Sequence, residues 1–346
     1  MQQETITLTF GDCAENHRGM QAIGEMAKSG LSVEELRATK AWYEAKGKVC
    51  ELIDLRSILP KEKRQAADSA YLLVVRGGCA ALADVDLLMK EQTSLVWDSK
   101  AFMYGRVVNK KARHNLCYSD FEQSADYEAG KGTVVPFSKL PQLSSIRTKL
   151  GEITGEKLTG LQCEGNRYYD VKKTYIGFHG DTERRIVVAI RLGADFPIHY
   201  QWYQKSAPVG ALFTTILHHG DIYYMSEKAV GFDWKKKICL TLRHAAGLEK
   251  NVVTKKVLEM DVTAKKVTGV YKKILDGYAA DYKQSEGGVI PTSYIDDQLV
   301  LASSRTLEDS DFKRAIAVKP DLSKWEQSWF LEFLFEFSTI QKDYPM

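Results

Sequence analysis

Several features that would assign the chain to a familiar class are missing from its 346 residues. No apolar run reaches the roughly 18 residues that a membrane-spanning helix needs, so the sequence predicts no membrane insertion. The first residues contain neither a basic segment nor an apolar one, and we therefore expect no secretory signal. With 8 prolines, 44% hydrophobic and 27% charged residues, the composition is globular rather than disordered or collagen-like.

The chain also lacks closely spaced cysteine pairs and carries little net charge. The 6 cysteines are widely spaced and contain no CxxC pair, which excludes a disulfide scaffold and a zinc ribbon. We expect reduced thiols in a soluble, intracellular protein, and the sequence does not distinguish cytoplasm from nucleus. The net charge is +3, from 48 basic and 45 acidic residues, so the total by itself indicates no charged partner.

The composition and the hydrophobic pattern of the sequence change twice, which predicts three segments. Residues 1–68 begin with an alternating strand pattern and continue with helical patterns, one of them after a capping box of Ser32 and Glu35. Residues 69–247 contain many short β-branched and aromatic runs broken by glycine, typical of a β-barrel or sandwich. Residues 248–346 are rich first in lysine and then in aromatic residues, for which we expect a packed helix.

The segment with the clearest chemistry is 176–183, in which His179 and Asp181 are two residues apart. Side chains at positions i and i+2 of a strand share a face, so the imidazole and the carboxylate can reach one ion. A distant histidine would complete a 2-His-1-carboxylate triad, which binds non-haem Fe(II) and leaves coordination positions open. For the pair taken alone, the alternative interpretation is that His179 and Asp181 lie in a surface turn.

The surrounding residues give a more specific indication. Asn166-Arg167-Tyr168 and residues 177–183 resemble the Asn-x-Tyr and Gly-x-His-x-Asp-x-Glu block of the AlkB family of Fe(II)/2-oxoglutarate dioxygenases. Further matches follow in chain order: a lid segment at 101–120, strands at 190–194 and 238–243, a turn and strand at 219–225, and Trp234. The resemblance covers residues 70–247 and does not extend to either end of the chain.

Membership of this family would imply an α+β protein with a double-stranded β-helix (jelly-roll) oxygenase core and helical N- and C-terminal extensions. The resemblance places two iron ligands at His179 and Asp181. It places the contacts to 2-oxoglutarate at Asn166, Tyr168, Arg243 and Lys237, and the substrate contacts of the lid at Tyr104, Arg106 and Arg113.

The family's distal histidine has no counterpart at its expected place, where the alignment gives Lys236. Three interpretations of the third ligand stay open. His244 is the nearest downstream histidine, although strict alternation would turn it away from the face of Arg243. Asp233 would instead supply a second carboxylate. Finally, a site without metal would make the protein a binding module on an oxygenase scaffold. We take His244 as the third ligand.

A basic segment concerns the partner. Residues 235–273 contain eleven lysines and arginines against three acidic residues. Such a density would neutralise several phosphates, and we expect nucleic acid as the partner, single-stranded or with a flipped base. A solvated lysine-rich face is the alternative.

The sequence therefore predicts an Fe(II)/2-oxoglutarate-dependent dioxygenase that uses O2 and demethylates alkylated bases, as in DNA repair. Two alternatives remain. One is a catalytically impaired oxygenase fold that binds nucleic acid or protein. The other is a hydroxylase of protein side chains or of carbon-attached methyl groups on bases. The sequence does not indicate an oligomeric state.

Overall fold

The computed structural model describes residues 3–103 and 105–252, and residues 1–252 cluster as one compact unit. Strands dominate this part of the chain and nearly all of them pair antiparallel, so the chain is an α+β protein built on antiparallel sheets. The aromatic segment for which a C-terminal helix is expected lies outside the described residues, as does most of the lysine-rich segment.

The described residues form sixteen strands and six α-helices. The strands are β1 (Thr5–Gly11), β2 (Cys13–Glu15), β3 (Ala22–Gly24), β4 (Cys50–Asp54), β5 (Tyr71–Val75), β6 (Lys100–Met103), β7 (Arg106–Asn109), β8 (His114–Ser119), β9 (Val134–Pro136), β10 (Gln162–Tyr168), β11 (Ile176–His179), β12 (Val187–Gly193), β13 (Phe196–Gln204), β14 (Ala207–Leu217), β15 (Ile222–Met225) and β16 (Thr241–Ala246). The helices are α1 (Val33–Glu44), α2 (Lys61–Arg64), α3 (Val85–Thr93), α4 (Pro141–Thr154), α5 (Glu227–Val230) and α6 (Glu249–Val252).

The larger sheet has eight strands in the order β4-β5-β15-β12-β1-β10-β8-β9. Its strand β1 is hydrogen-bonded on both edges, with Leu8 opposite Gly165 of β10 and Ile190 of β12. Because side chains alternate between the two faces of a strand, Leu8 points to one face and Thr7 to the other. This alternation gives the sheet an apolar face and a face that carries polar groups.

Helices cover the apolar face of the larger sheet. Leu8 packs there in one buried cluster with Leu36 of α1, Leu88 of α3 and Ile146 of α4. Full burial of such a side chain stabilises the fold by about 1.5–3 kcal/mol relative to exposure. Helix α1 begins at the predicted capping box, since the Ser32 side chain accepts from the Glu35 backbone and the Glu35 side chain accepts from the Ser32 backbone. Within the described residues, no helix has both the length and the apolar character needed to cross a membrane.

The second sheet has four strands in the order β11-β16-β13-β14, all antiparallel. It packs on the other face of the larger sheet through a second buried cluster, to which β12 contributes Val187, β15 contributes Tyr223 and β13 contributes Trp202. The indole of Trp202 donates to the carbonyl of Leu55 at 2.8 Å, so this large side chain is buried with its polar group satisfied. The two sheets therefore face each other across one core.

The boundary expected at residue 68 falls inside this compact unit. Strands β1 and β4 both belong to the larger sheet, and β1 lies near its middle rather than on its outside. Residues 1–68 are thus part of the core and not an extension packed on it. The physical reason is that a strand pairs with partners far along the chain, which local texture does not reveal.

We expect the substitution Leu8→Ala to lower the free energy of unfolding by about 2–5 kcal/mol, because it opens a cavity beneath three helices in the middle of the sheet. Urea unfolding followed by circular dichroism measures the loss. The control is Val96→Ala, at a residue that is 89% exposed, for which a change within about 0.5 kcal/mol is expected. A loss for Leu8→Ala no larger than that of the control would show that β1 is dispensable to the core.

Candidate metal centre

A cavity of about 670 Å3 lies against strands of both sheets. The larger sheet lines it with β1, β10, β12 and β15, and the smaller sheet with β11, β13 and β16. His179, Asp181 and His244 lie together on its wall. The structure therefore brings the two residues of the His-x-Asp pair and the downstream histidine to one place.

The three side chains converge because β11 and β16 are antiparallel neighbours in which His179 lies directly opposite His244. The Nε2 atom of His179 is 3.6 Å from Oδ1 of Asp181, and the Nε2 atom of His244 is 3.8 Å from the same oxygen. The two imidazole centroids are 4.4 Å apart. Two nitrogens and one carboxylate oxygen thus face one point.

Both histidines are prepared to act as ligands. Nδ1 of His179 lies 2.8 Å from the carbonyl oxygen of Gly177, which favours a proton on Nδ1 and leaves the lone pair of Nε2 directed at Asp181. His244 is only 8% exposed. Burial, together with the nearby charges of His179 and Arg184, holds the pKa of His244 well below its ordinary value. A neutral imidazole is the form that binds a metal.

The glycine between the two ligands is required by a close backbone approach. A Cβ atom on Gly180 would lie 2.1 Å from the carbonyl oxygen of Gly231, so no other residue fits without a shift of the chain. The amide of Asp181 donates to the carbonyl of Val230 at 3.1 Å. The last residue of α5 and the glycine after it therefore fix the position of Asp181 at the cavity.

The donor set fits a divalent first-row metal. Ligand atoms that bind one ion at about 2.0–2.2 Å and at right angles lie about 3 Å apart. The observed separations of 3.6 and 3.8 Å reach this geometry with side-chain movements of less than about 1 Å. Two imidazoles and one carboxylate on one side are the set that non-haem Fe(II) sites use.

A buried arginine lies next to the ligand Asp181. Arg184 is 3% exposed and contacts three carboxylates: Glu164, Glu183 at 3.0 Å and Asp181 at 3.7 Å. Burial alone would raise the pKa of Glu164, but Arg184 and then Arg113 lie close enough to lower it below its ordinary value. Arg184 therefore keeps Glu164 ionised and also contacts the carboxylate of Asp181.

The expected contacts to 2-oxoglutarate lie in different places. Asn166 and Tyr168 line the cavity on β10. The amide oxygen of Asn166 accepts from Arg113 and Asn115, and its nitrogen donates to Glu164 at 2.9 Å. One N–H of Asn166 is left for a ligand, so much of its capacity is used within the protein. Tyr168 is 3% exposed and packs on the ring of Phe196.

Arg243 and Lys237 do not line the cavity. Arg243 directly precedes His244 on β16, so the two side chains point to opposite faces of the small sheet. Its guanidinium lies 3.9 Å from the ring centroid of Tyr203 and 5.1 Å from that of Trp234. Lys237 is exposed in the turn before β16.

The other candidate residues also fall into two groups, those that line the cavity and those that do not. The carboxylate of Asp233, the alternative third ligand, is bound by Lys228 at 2.8 Å and does not line the cavity. Of the expected substrate contacts, Arg113 lines the cavity, whereas Arg106 is exposed on the β6–β7 hairpin and does not. Tyr104 lies outside the described residues.

Sequence reasoning missed the charged residues on the remaining walls of the cavity. They are Glu15, Arg18, Glu164, Arg184 and Arg191. Burial raises the pKa of Glu15 to about 7. For Arg191 a signal was present, because it is the one charged residue in the apolar strand β12 and such residues are rarely buried without a partner. Glu164 and Arg184 gave no comparable signal, since their pairing depends on the fold.

No protein-family model matches the chain. An uncharacterized protein of Acanthamoeba polyphaga mimivirus is 52% identical over 250 residues, which make up 72% of this chain and 98% of the viral protein. An identity of this size over nearly the whole viral protein shows common descent, and it assigns no activity to either chain.

We expect Arg184→Met to lower the free energy of unfolding by about 3–5 kcal/mol at pH 7, because Glu164 would remain buried without its counter-charge. The matched control is Arg185→Met. Arg185 pairs with Glu227 at a partly exposed site, where such pairs contribute about 0–1 kcal/mol. Urea unfolding of both variants measures the difference.

The pH dependence provides a second check. In the wild type, the lowered pKa of Glu164 contributes stability above its unfolded pKa, and this is lost as the pH falls. In Arg184→Met, protonation of Glu164 relieves the buried charge, so the gap to the wild type should narrow as the pH is lowered from 7. An equal loss for Arg184→Met and Arg185→Met, or a gap independent of pH, would contradict this account.

Proposed function

The chain belongs to one family with this mimivirus protein, and we propose that it is an Fe(II)/2-oxoglutarate-dependent dioxygenase that acts on nucleic acid. The proposal depends on one observation, the convergence of His179, Asp181 and His244 on the wall of a cavity. A facial set of two imidazoles and one carboxylate leaves three coordination positions for a bidentate cosubstrate and O2. It is this openness that separates such a site from a closed structural metal site.

We propose further that the two sheets are the halves of a double-stranded β-helix. Two observations support this finer description. The sheets are antiparallel apart from the pairing of β8 with β9, and they pack face to face across one apolar core. The three ligand candidates come from adjacent strands of the smaller sheet and from the residues that follow β11, at the side of the core where the cavity lies.

When bound, Fe(II) would couple the oxidative decarboxylation of 2-oxoglutarate by O2 to the oxidation of an N-methyl group, yielding succinate, CO2, formaldehyde and the free base. His179, Asp181 and His244 would hold the ion from one side. The Gly177 carbonyl orients the His179 ring, and Arg184 restrains the Asp181 carboxylate. These contacts keep the ligands in place without a metal, so that little reorganisation is needed on binding.

Nucleic acid is proposed as the substrate because of what else surrounds the cavity. Arg18 and Arg113 lie on its rim and wall, where they can attract phosphates. Phe178 and Trp234 line it with partly exposed aromatic rings, which can stack on a base taken out of the helix. Near neutral pH the Glu15 carboxyl is present in both its protonated and its ionised form, so it can donate to or accept from a base edge.

The first test of the proposal is metal and cosubstrate binding. Anaerobic addition of Fe(II) and 2-oxoglutarate should produce a visible metal-to-ligand absorption band. Because loss of an outer partner of a ligand already costs about 10–100-fold in metal affinity, His244→Ala should weaken Fe(II) binding at least that much. His218→Ala is the control, since His218 is half exposed and pairs with Asp195 outside the cavity. Absence of the band, or unchanged iron content in His244→Ala, would contradict the proposed centre.

The second test is turnover. With air, Fe(II) and 2-oxoglutarate, an N-methylated single-stranded oligonucleotide should give succinate and formaldehyde in equal amounts, measured by mass spectrometry. The unmethylated oligonucleotide is the control and should give no formaldehyde. Succinate formed only with peptides, or with bases methylated on carbon, would replace the proposed reaction by a hydroxylation. An absorption band with no turnover on any of these would indicate a binding module.

A further inference from the structure

One buried charge in the cavity has no counter-charge in the protein. Arg191 of β12 is 0% exposed and lines the cavity that His179, Asp181 and His244 also line. Its Nη1 donates to the hydroxyl of Thr7, and this is the only hydrogen bond of its guanidinium among the described residues. Its Nε is buried without a hydrogen-bond partner. A guanidinium has five N–H donors, so most of its capacity is unused.

The contrast with Arg184 shows how unusual this is. Both arginines are buried and both line the cavity, but Arg184 contacts three carboxylates and Arg191 contacts none within 4 Å in the described part of the chain. Asp221 acts electrostatically on Arg191, but its carboxylate is engaged elsewhere: it accepts from Arg76 and from the backbone amides of Gly77 and His218. Arg191 therefore lacks the compensation that a buried charge normally requires.

Other neighbours satisfy Arg191 only in part. The ring of Phe196 lies 5.1 Å below the guanidinium carbon, a cation–π contact that covers one face and no N–H. Tyr168 and Tyr223 lie on the same cavity wall, but burial raises the pKa of both phenols, so neither supplies a counter-charge. A buried donor that stays unpaired costs about 1–3 kcal/mol, and more when it is charged. This cost is removed if an anion in the cavity accepts the free N–H groups.

We propose that Arg191 is the anion subsite of the cavity and binds a carboxylate of a small organic acid, a role that the resemblance gave to Arg243. The planar fork of a guanidinium matches the two oxygens of a carboxylate, and the hydroxyl of Thr7 holds that fork in place. The subsite and the metal-ligand candidates line one cavity, so one small molecule with two acidic ends can reach both. The identification of this acid as 2-oxoglutarate rests on the proposed function.

Arg243 is the alternative candidate for this role, but it differs from Arg191 in its burial and in its position relative to the cavity. Its Nε is also without a partner, but the residue is only half-buried and lies outside the cavity. Its guanidinium is covered by the ring of Tyr203 on the opposite face of the small sheet from His244. Arg243 and His244 are neighbours on β16, so their side chains point to opposite faces of the small sheet, and only His244 lines the cavity.

The experiment compares the two arginines by binding rather than by activity. Full-length protein treated with EDTA is titrated with glutarate and with 2-oxoglutarate, and heat release and thermal stabilisation are measured. Arg191→Met should weaken binding of both acids about 10- to 100-fold, the range expected when charge-assisted hydrogen bonds are lost. Arg191→Lys keeps the charge without the fork and should lie between. Arg243→Met should stay within about twofold of the wild type.

A stability measurement separates loss of the site from loss of the fold. Because Met has a similar shape and no charge, Arg191→Met should keep or raise the melting temperature in the absence of ligand. Arg184→Met should lower it. A fall in melting temperature for Arg191→Met as large as that for Arg184→Met would show that Arg191 is a structural residue, and would overturn the proposal.

The remaining outcomes distinguish failure of the anion subsite from failure of the proposed oxygenase function. Equal binding of glutarate by wild type and Arg191→Met, or a loss only in Arg243→Met, overturns the anion subsite whether or not Fe(II) binds. If inorganic phosphate binds more tightly and stabilises the protein more against heat than glutarate does, the assignment to a carboxylate is also overturned. Arg191-dependent binding of glutarate in a protein that shows no Fe(II) band supports the subsite and contradicts the proposed oxygenase.

Discussion

The pairing of β11 with β16 is the contact on which the rest of the site depends. Antiparallel register places His179 opposite His244, although 65 positions separate them in the chain, a spacing read directly from their numbers. The same register turns Arg243 to the other face, because neighbouring residues of a strand alternate. One pairing thus decides both which histidine joins the His-x-Asp pair and which arginine leaves the cavity. A shift of one residue would reverse both outcomes.

The electrostatics of the cavity divide it into two regions. Around Arg184 three carboxylates share one guanidinium, and removal of that guanidinium would leave uncompensated negative charge in the core, so Arg184 stabilises the fold. Around Arg191 the charge is left unpaired, which the fold tolerates at a cost in free energy. Binding sites commonly retain such a cost, since the polar groups that a ligand will satisfy cannot be satisfied beforehand. The division explains why two buried arginines in one cavity should respond in opposite ways to the same substitution.

Much of the local structure could be predicted from the sequence because it depends on neighbours in the chain. The strand β1 and the capping box of Ser32 and Glu35 follow from short-range patterns. His179 and Asp181 do converge, but β11 ends at His179 and Asp181 lies in the loop after it, so strand alternation is not the reason. The inclusion of β1 in the middle of the sheet could not be predicted, because its partners β10 and β12 lie more than 150 residues away. The burial of Glu164 beside Arg184 escaped for the same reason.

The different positions of Arg243 and Arg191 relative to the cavity show the limit of motif comparison. A motif matches residue types in order, but a side chain contributes to a site only if the strand register turns it inward. The sequence did contain the information, in the form of one arginine among the apolar residues of β12, where burial of a charge requires a reason. In this chain, the charged residue that interrupts an apolar strand lines the cavity, whereas the charged residue that completes a motif does not.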